Sequence, residues 1–113
     1  MDRRRNVKIH DIWNAVAAGR WALTQHARKR AGQRCIGDEA LMRVLANGEI
    51  LEDYPEDPRG PSFLVLGYAG DGRPIHAVCA FDPGGTLLVI TVYEPVPPKW
   101  INERTRGPRK EVQ

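Results

Sequence analysis

The period of the hydrophobic pattern changes once along this 113-residue chain, and that change limits the folds open to it. Up to Asn47, apolar residues recur at helical spacing. Ile9, Ile12, Trp13, Val16 and Ala17 mark a helix over residues 7–18, and Leu41, Val44 and Leu45, with Met42 beside them, mark another that ends at Asn47-Gly48. From Glu49 the period falls to two, and strands are predicted over residues 49–54, 62–69, 74–81 and 86–93. Gly70-Asp71-Gly72 and Asp82-Pro83-Gly84-Gly85 join the last three strands so tightly that an antiparallel meander is the natural arrangement. Helices first and strands after make an α+β domain, with two to three N-terminal helices packed on a four-stranded, mainly antiparallel sheet.

Local signals place the boundaries. Asn6 can cap the first helix, Gly19 suits the left-handed position after it, and Trp13 is expected to anchor it on the sheet. Residues 20–23 read as a short extended link. Thr24 then offers a side-chain oxygen as the cap of a helix over residues 25–33. That helix has only Ala27 and Ala31 as apolar content, so it lies on the surface. His26, Arg30 and Arg34 repeat every four residues and share one face. Ile36 is the inward plug of the following turn, and Asp38 and Glu39 sit at the positive end of the third helix dipole. That acidic start has the wrong sign for a DNA-reading helix. Pro95-Val96-Pro97-Pro98 ends the sheet, and Lys99-Trp100-Ile101 is a short anchor. The domain plan is a basic arm over 1–6, one folded unit over 7–101 and a loose basic tail over 102–113.

Charge is unevenly spread. Residues 1–36 carry nine Lys or Arg against two Asp, whereas residues 37–60 carry two Arg against seven Asp or Glu. This suits a polyanion on one face and an acidic protein competing for it. No apolar run approaches the ~20 residues of a membrane span, and no signal-peptide core follows the basic start, so a cytoplasmic location without membrane contact is expected. Cys35 and Cys79 form no metal-ligand or redox motif and are expected as thiols, and no cofactor or metal is implied.

Three histidines could titrate near neutrality. His10 lies opposite an apolar stripe and reads as a surface residue. His26 and His76 are the candidates for chemistry. Cleavage of RNA without a metal needs one group to take the 2′-hydroxyl proton, one to protonate the leaving 5′-oxygen, and cations for the phosphorane between them. His26 and His76 could supply the first two and Arg30 and Arg34 the third. Tyr54 and Tyr93, at strand ends, could position a base or phosphate, and Arg28, Lys29 and Lys99 add cations for RNA contact.

Several separated motifs stand in order: Thr24-x-His26-Ala27-Arg28-x-Arg30-x-x-x-Arg34-x-Ile36, Gly48-Glu49-Ile50-x-Glu52-Asp53-Tyr54-Pro55, Leu66-Gly67-Tyr68, Pro74-x-His76, Ile90-Thr91-Val92-Tyr93-Glu94-Pro95 and Trp100. Together they resemble the bacterial family called domain of unknown function 4258, over roughly residues 7–101. The family is grouped with the RelE/ParE-like toxins, which include messenger-RNA interferases, and its members often lie beside a small zinc-finger or helix-turn-helix antitoxin. The resemblance therefore implies a RelE-like fold, endoribonuclease activity as the toxin of a toxin–antitoxin pair, RNA as partner and an acidic antitoxin as a second one. It assigns His26, Arg30 and Arg34 to the site, with His76 and Tyr93 at further matching positions. The alternative is a non-catalytic RNA- or protein-binding module of the same fold. One position departs from the pattern: the family usually has Gly after the last Arg of the first motif, where this chain has Cys35. That departure would let the helix end sooner and move Arg34 relative to His26.

Overall fold

The computed structural model describes residues 7–58 and 60–108. The predicted basic arm, the Asn6 cap and residues 109–113 lie outside them. The element order is α1 (Ile9–Ala17), β1 (Trp21–Leu23), α2 (Gln25–Gln33), α3 (Asp38–Asn47), β2 (Glu49–Tyr54), β3 (Ser62–Tyr68), β4 (Pro74–Phe81), β5 (Leu87–Tyr93), β6 (Trp100–Asn102) and β7 (Thr105–Arg106). This is an α+β fold of three helices, a five-stranded mixed sheet in the order β1-β5-β4-β3-β2, and a separate β6–β7 ribbon.

Two expectations about extent are corrected. Residues 21–23, read as a link, form an edge strand parallel to β5, because the Arg20 carbonyl and the Thr24 N–H bond to the β5 backbone at Leu87 and Val89. The sheet thus has five strands rather than four. Residues 102–108, read as loose tail, include the rest of a hairpin whose arginines bond to β2.

Alternation along the strands builds two apolar layers. Phe63, Val65, Ile75, Ala77, Cys79, Leu87 and Val89 pack against Ile12, Ala15, Ala27, Ala31, Leu41, Val44 and Leu45 of the helices. Gly67 lies where α3 crosses β3, and a Cβ there would sit 2.7 Å from the Val44 carbonyl oxygen. Leu64, Leu66 and His76 alternate onto the opposite face, and all three are buried, as is Trp100 of β6. Trp13, the expected anchor of α1, is instead 37% exposed, and its ring meets His10 edge-on at 5.2 Å. Ile12 and Ala15 hold the helix down.

A bulge in β5 decides what faces the site. Val78 pairs with Thr91 but Cys79 pairs with Val89, so Ile90 is the extra residue. Simple alternation puts Leu87, Val89, Thr91 and Tyr93 on one face. Past the bulge the faces exchange: Val92 joins the helix-side core, and Tyr93 lies opposite His76.

Candidate functional site

Helix α2 is fixed at both ends by side chains. At its start the Thr24 hydroxyl accepts from the Ala27 N–H at 3.1 Å and donates to the bulge carbonyl of Ile90 at 3.2 Å. The expected cap is therefore also the tie between α2 and the irregular part of β5. At its end, Cys35 takes the left-handed conformation (φ 57°). The Ile36 N–H reaches back to the Ala31 carbonyl and the Cys35 N–H to the Gly32 carbonyl, the pattern of a Schellman motif. Ile36 is buried beneath it. The Arg73 guanidinium donates to the carbonyls of Arg34 and Cys35, both at 3.3 Å. The Cys35 departure does not shorten the helix, which runs to Gln33 as its spacing predicts, because Cys35 tolerates the conformation that glycine adopts more easily and Arg73 satisfies the freed carbonyls.

With α2 held in this way, His26, Arg30 and Arg34 line one wall of a cleft of about 300 Å³. Thr91, Val92, Tyr93 and Glu94 of β5 and its extension line it as well, together with Val96, Lys99 and Trp100 from the segment that follows. The volume lies at the lower end of the range for small-ligand clefts. Glu94 carries the only negative charge among these lining residues, and it lies 3.7 Å from Arg73. Lys99 Nζ lies 5.8 Å above the Tyr93 ring. Of the nine residues assigned from the sequence, five meet here: His26, Arg30, Arg34, Tyr93 and Lys99.

The other four do not line the cleft. Arg28 and Lys29 are exposed elsewhere on α2. Tyr54 donates to Glu52 and accepts from Arg106 at 3.2 Å, and burial together with the Glu52 carboxylate pushes its hydroxyl up to about 12. His76 has no exposed surface. Its Nδ1 is 3.2 Å from the Tyr93 hydroxyl, its Nε2 2.8 Å from the Glu103 carbonyl, and its ring meets Trp100 edge-on at 4.4 Å. Burial holds the imidazole below its ordinary value. The direct His26–His76 pair expected from the sequence is thus absent from the cleft. Strand alternation carries His76 to the face that the hairpin covers, behind Tyr93.

The hairpin is a polar strap over that face. Arg106 makes a bidentate pair with Glu52 at 2.8 and 2.9 Å and stacks on Trp100 at 4.7 Å. Arg104 pairs with Glu49 at 2.7 and 3.0 Å, and the Tyr68 hydroxyl donates to the Glu103 carboxylate at 3.1 Å. These arginines hold the Glu49 and Glu52 carboxyls below the usual carboxylate range. Sequence reasoning missed the strap, Arg73 and Glu94. Paired acids in one segment and arginines about 50 residues on give no local period to read, although the anchor role of Trp100 is visible in the sequence.

A model of the family described as Domain of unknown function (DUF4258) matches residues 23–94. No curated protein and no solved structure matches the chain. The matched stretch contains α2, the bulged β5 and His76, whereas Val96, Lys99 and Trp100 lie beyond it.

Proposed function

This chain belongs to the domain-of-unknown-function 4258 family, and from that premise we propose that it is a metal-independent endoribonuclease of the RelE-like type, acting as the toxin of a toxin–antitoxin pair. The observation that carries the reading is the convergence of His26, Arg30 and Arg34 from one helix with Lys99 on a single cleft. Three permanent cations around one titratable imidazole form a site for a phosphodiester whose charge grows during cleavage. Tyr93 and Val96 add a ring and an apolar side chain within reach of a sugar or base. The partner protein in this reading is an acidic antitoxin that occupies the same cations.

The test is a single-stranded RNA cleavage assay combined with induced expression in bacteria. Wild-type protein should cut RNA and slow growth, and His26→Ala and Arg30→Ala should each abolish both while circular dichroism stays native. Folded wild-type protein that neither cuts RNA nor slows growth refutes the reading.

A second reading is favoured by one observation, the single imidazole in the cleft. It makes the protein a non-catalytic RNA-binding module. Binding would then appear without product, and His26→Gln would cost little. Under either reading, removing the cation that meets a phosphate should lower the slope of log K against log salt by ~0.7 for single-stranded RNA, and Arg30→Ala should remove about one such cation.

A further inference from the structure

We propose that the Tyr93 hydroxyl, backed by His76, is the general base of the cleft, so that the second imidazole reaches the substrate through a tyrosine. This rests on the ribonuclease reading above and supplies the proton acceptor that the cleft's single histidine leaves open.

The hydrogen-bond directions follow from chemistry. The Glu103 backbone carbonyl can only accept, so His76 Nε2, 2.8 Å away, carries the ring hydrogen. In a neutral imidazole Nδ1 is then a bare acceptor. The Tyr93 hydroxyl, 3.2 Å from it, is the donor, and its oxygen keeps the capacity to accept a further hydrogen bond; Tyr93 itself lines the cleft. Neither group does this work alone. His76 has no exposed surface, and burial raises the Tyr93 hydroxyl above its ordinary value, so tyrosinate is not available near neutrality. A concerted transfer avoids the tyrosinate.

The 2′-hydroxyl proton of RNA moves to Tyr93 Oη as the proton of Tyr93 moves to His76 Nδ1. The 2′-oxygen bonds to phosphorus, the bond from phosphorus to the 5′-oxygen breaks, and protonated His26 gives its proton to that oxygen. A 2′,3′-cyclic phosphate and a 5′-hydroxyl leave, with His76 as imidazolium and His26 neutral. The His76 proton returns through Tyr93 Oη to solvent in the cleft, and His26 regains one from water there. Arg30, Arg34 and Lys99 face the phosphorane.

The charged groups around His76 set its readiness. Burial favours the neutral acceptor, Glu52 of β2 and Glu103 favour the imidazolium, and Arg106 of β7 opposes it. Tyr93 of β5 and Trp100 of β6 complete its surroundings. The net direction keeps His76 neutral at neutral pH. The relay is active in that form and lost as pH falls through the His76 value, below 6.5.

The test measures kcat/KM against pH for a single-stranded RNA oligonucleotide with wild type, Tyr93→Phe and His76→Asn. Binding of the all-deoxy oligonucleotide, which has no 2′-hydroxyl to attack with, is measured alongside, together with imidazole 15N spectra. The relay predicts a His76 Nε2–H tautomer, a rate loss of about 10²–10⁴-fold in Tyr93→Phe with deoxy-oligonucleotide binding unchanged, and disappearance of the wild-type acid limb. Tyr93→Phe that keeps its rate and acid limb, or an Nδ1–H tautomer in the free protein, overturns the relay and leaves the ribonuclease reading standing. Wild type that binds the oligonucleotide and never cuts it overturns both. Tyr93→Phe keeps the ring, so the relay stands or falls on it even if His76→Asn fails to fold.

Discussion

Replacing Cys35 with glycine should make this protein more stable. Cys35 holds φ at 57°, a conformation that costs an L-residue about 1–2 kcal/mol relative to the right-handed region. Glycine removes that cost but gives the unfolded chain more freedom, worth about 0.4–1 kcal/mol in the opposite direction. The thiol is exposed, so its loss forfeits little buried surface. The net expectation for Cys35→Gly is a gain of about 0.5–1 kcal/mol, or roughly 2–4 °C in Tm for a domain of this size. Thermal and urea unfolding at neutral pH measure it. Cys35→Ala is the control, because it removes the sulfur and keeps the Cβ, and it should lie near wild type. Cys35→Val should fall below it, since a branched Cβ tolerates the left-handed region least. RNA affinity should stay constant through the series, because the Schellman bonds and Arg73 hold Arg34 in place in each variant. A Cys35→Gly protein no more stable than Cys35→Ala would refute the reasoning, and would mean that the packing of Ile36, rather than the backbone at residue 35, sets the helix end.

Three further outcomes follow from the packing. Glu52 is held below its unfolded value by Arg106, so its contribution is present above about pH 4.5 and is lost as pH falls through the lower folded value; the Trp100 indole resonance should report the strap releasing in that acid window, and Glu52→Gln should remove the transition. Gly67→Ala forces a Cβ against the Val44 backbone and should destabilise by about 1–3 kcal/mol in urea unfolding, because β3 is an interior strand held between β4 and β2. Thr24→Ala removes both the helix cap and the bond to Ile90, and should cost about 1–2 kcal/mol and weaken RNA binding together, whereas Thr24→Ser should retain most of each.

The helices and the three-strand meander are readable because each rests on a local rule. Thr24 caps, Gly19 reverses, and the two turns leave no room for a crossover. What escapes depends on pairs distant in sequence. Trp21–Leu23 is too short to show a period, and it is a strand only because β5 lies beside it. Trp13 satisfies the helical stripe and yet is exposed, because α3 and the sheet meet α1 through Ile12 and Ala15. The cleft is half legible. Spacing alone puts His26, Arg30 and Arg34 on one face, but whether His76 joins them depends on strand parity and on one bulge. A single extra residue, Ile90, sets which side of β5 Tyr93 occupies, and no period in the sequence marks it.

The charge pattern takes on a different meaning in the fold. Basic ends and an acidic middle suggest surfaces reserved for two kinds of partner. Part of that asymmetry is instead consumed inside the molecule, since Arg104 and Arg106 of the supposed tail neutralise Glu49 and Glu52 of the acidic stretch. Among the described residues, Arg30 and Arg34 have no carboxylate partner in an ion pair. Such pairs are weak where solvent screens them and stronger as a bidentate network around a buried ring, which is where Arg106 sits on Trp100. The strap therefore does two things at once. It seals His76 from water, and it carries Trp100, with Lys99 beside it, to the cleft wall. Among the described residues that line the cleft, an antitoxin competing for it would meet positive charge from α2 and Lys99, because the arginines of β6–β7 are already engaged. The acidic segment of such a partner need match only that one helix face and that lysine.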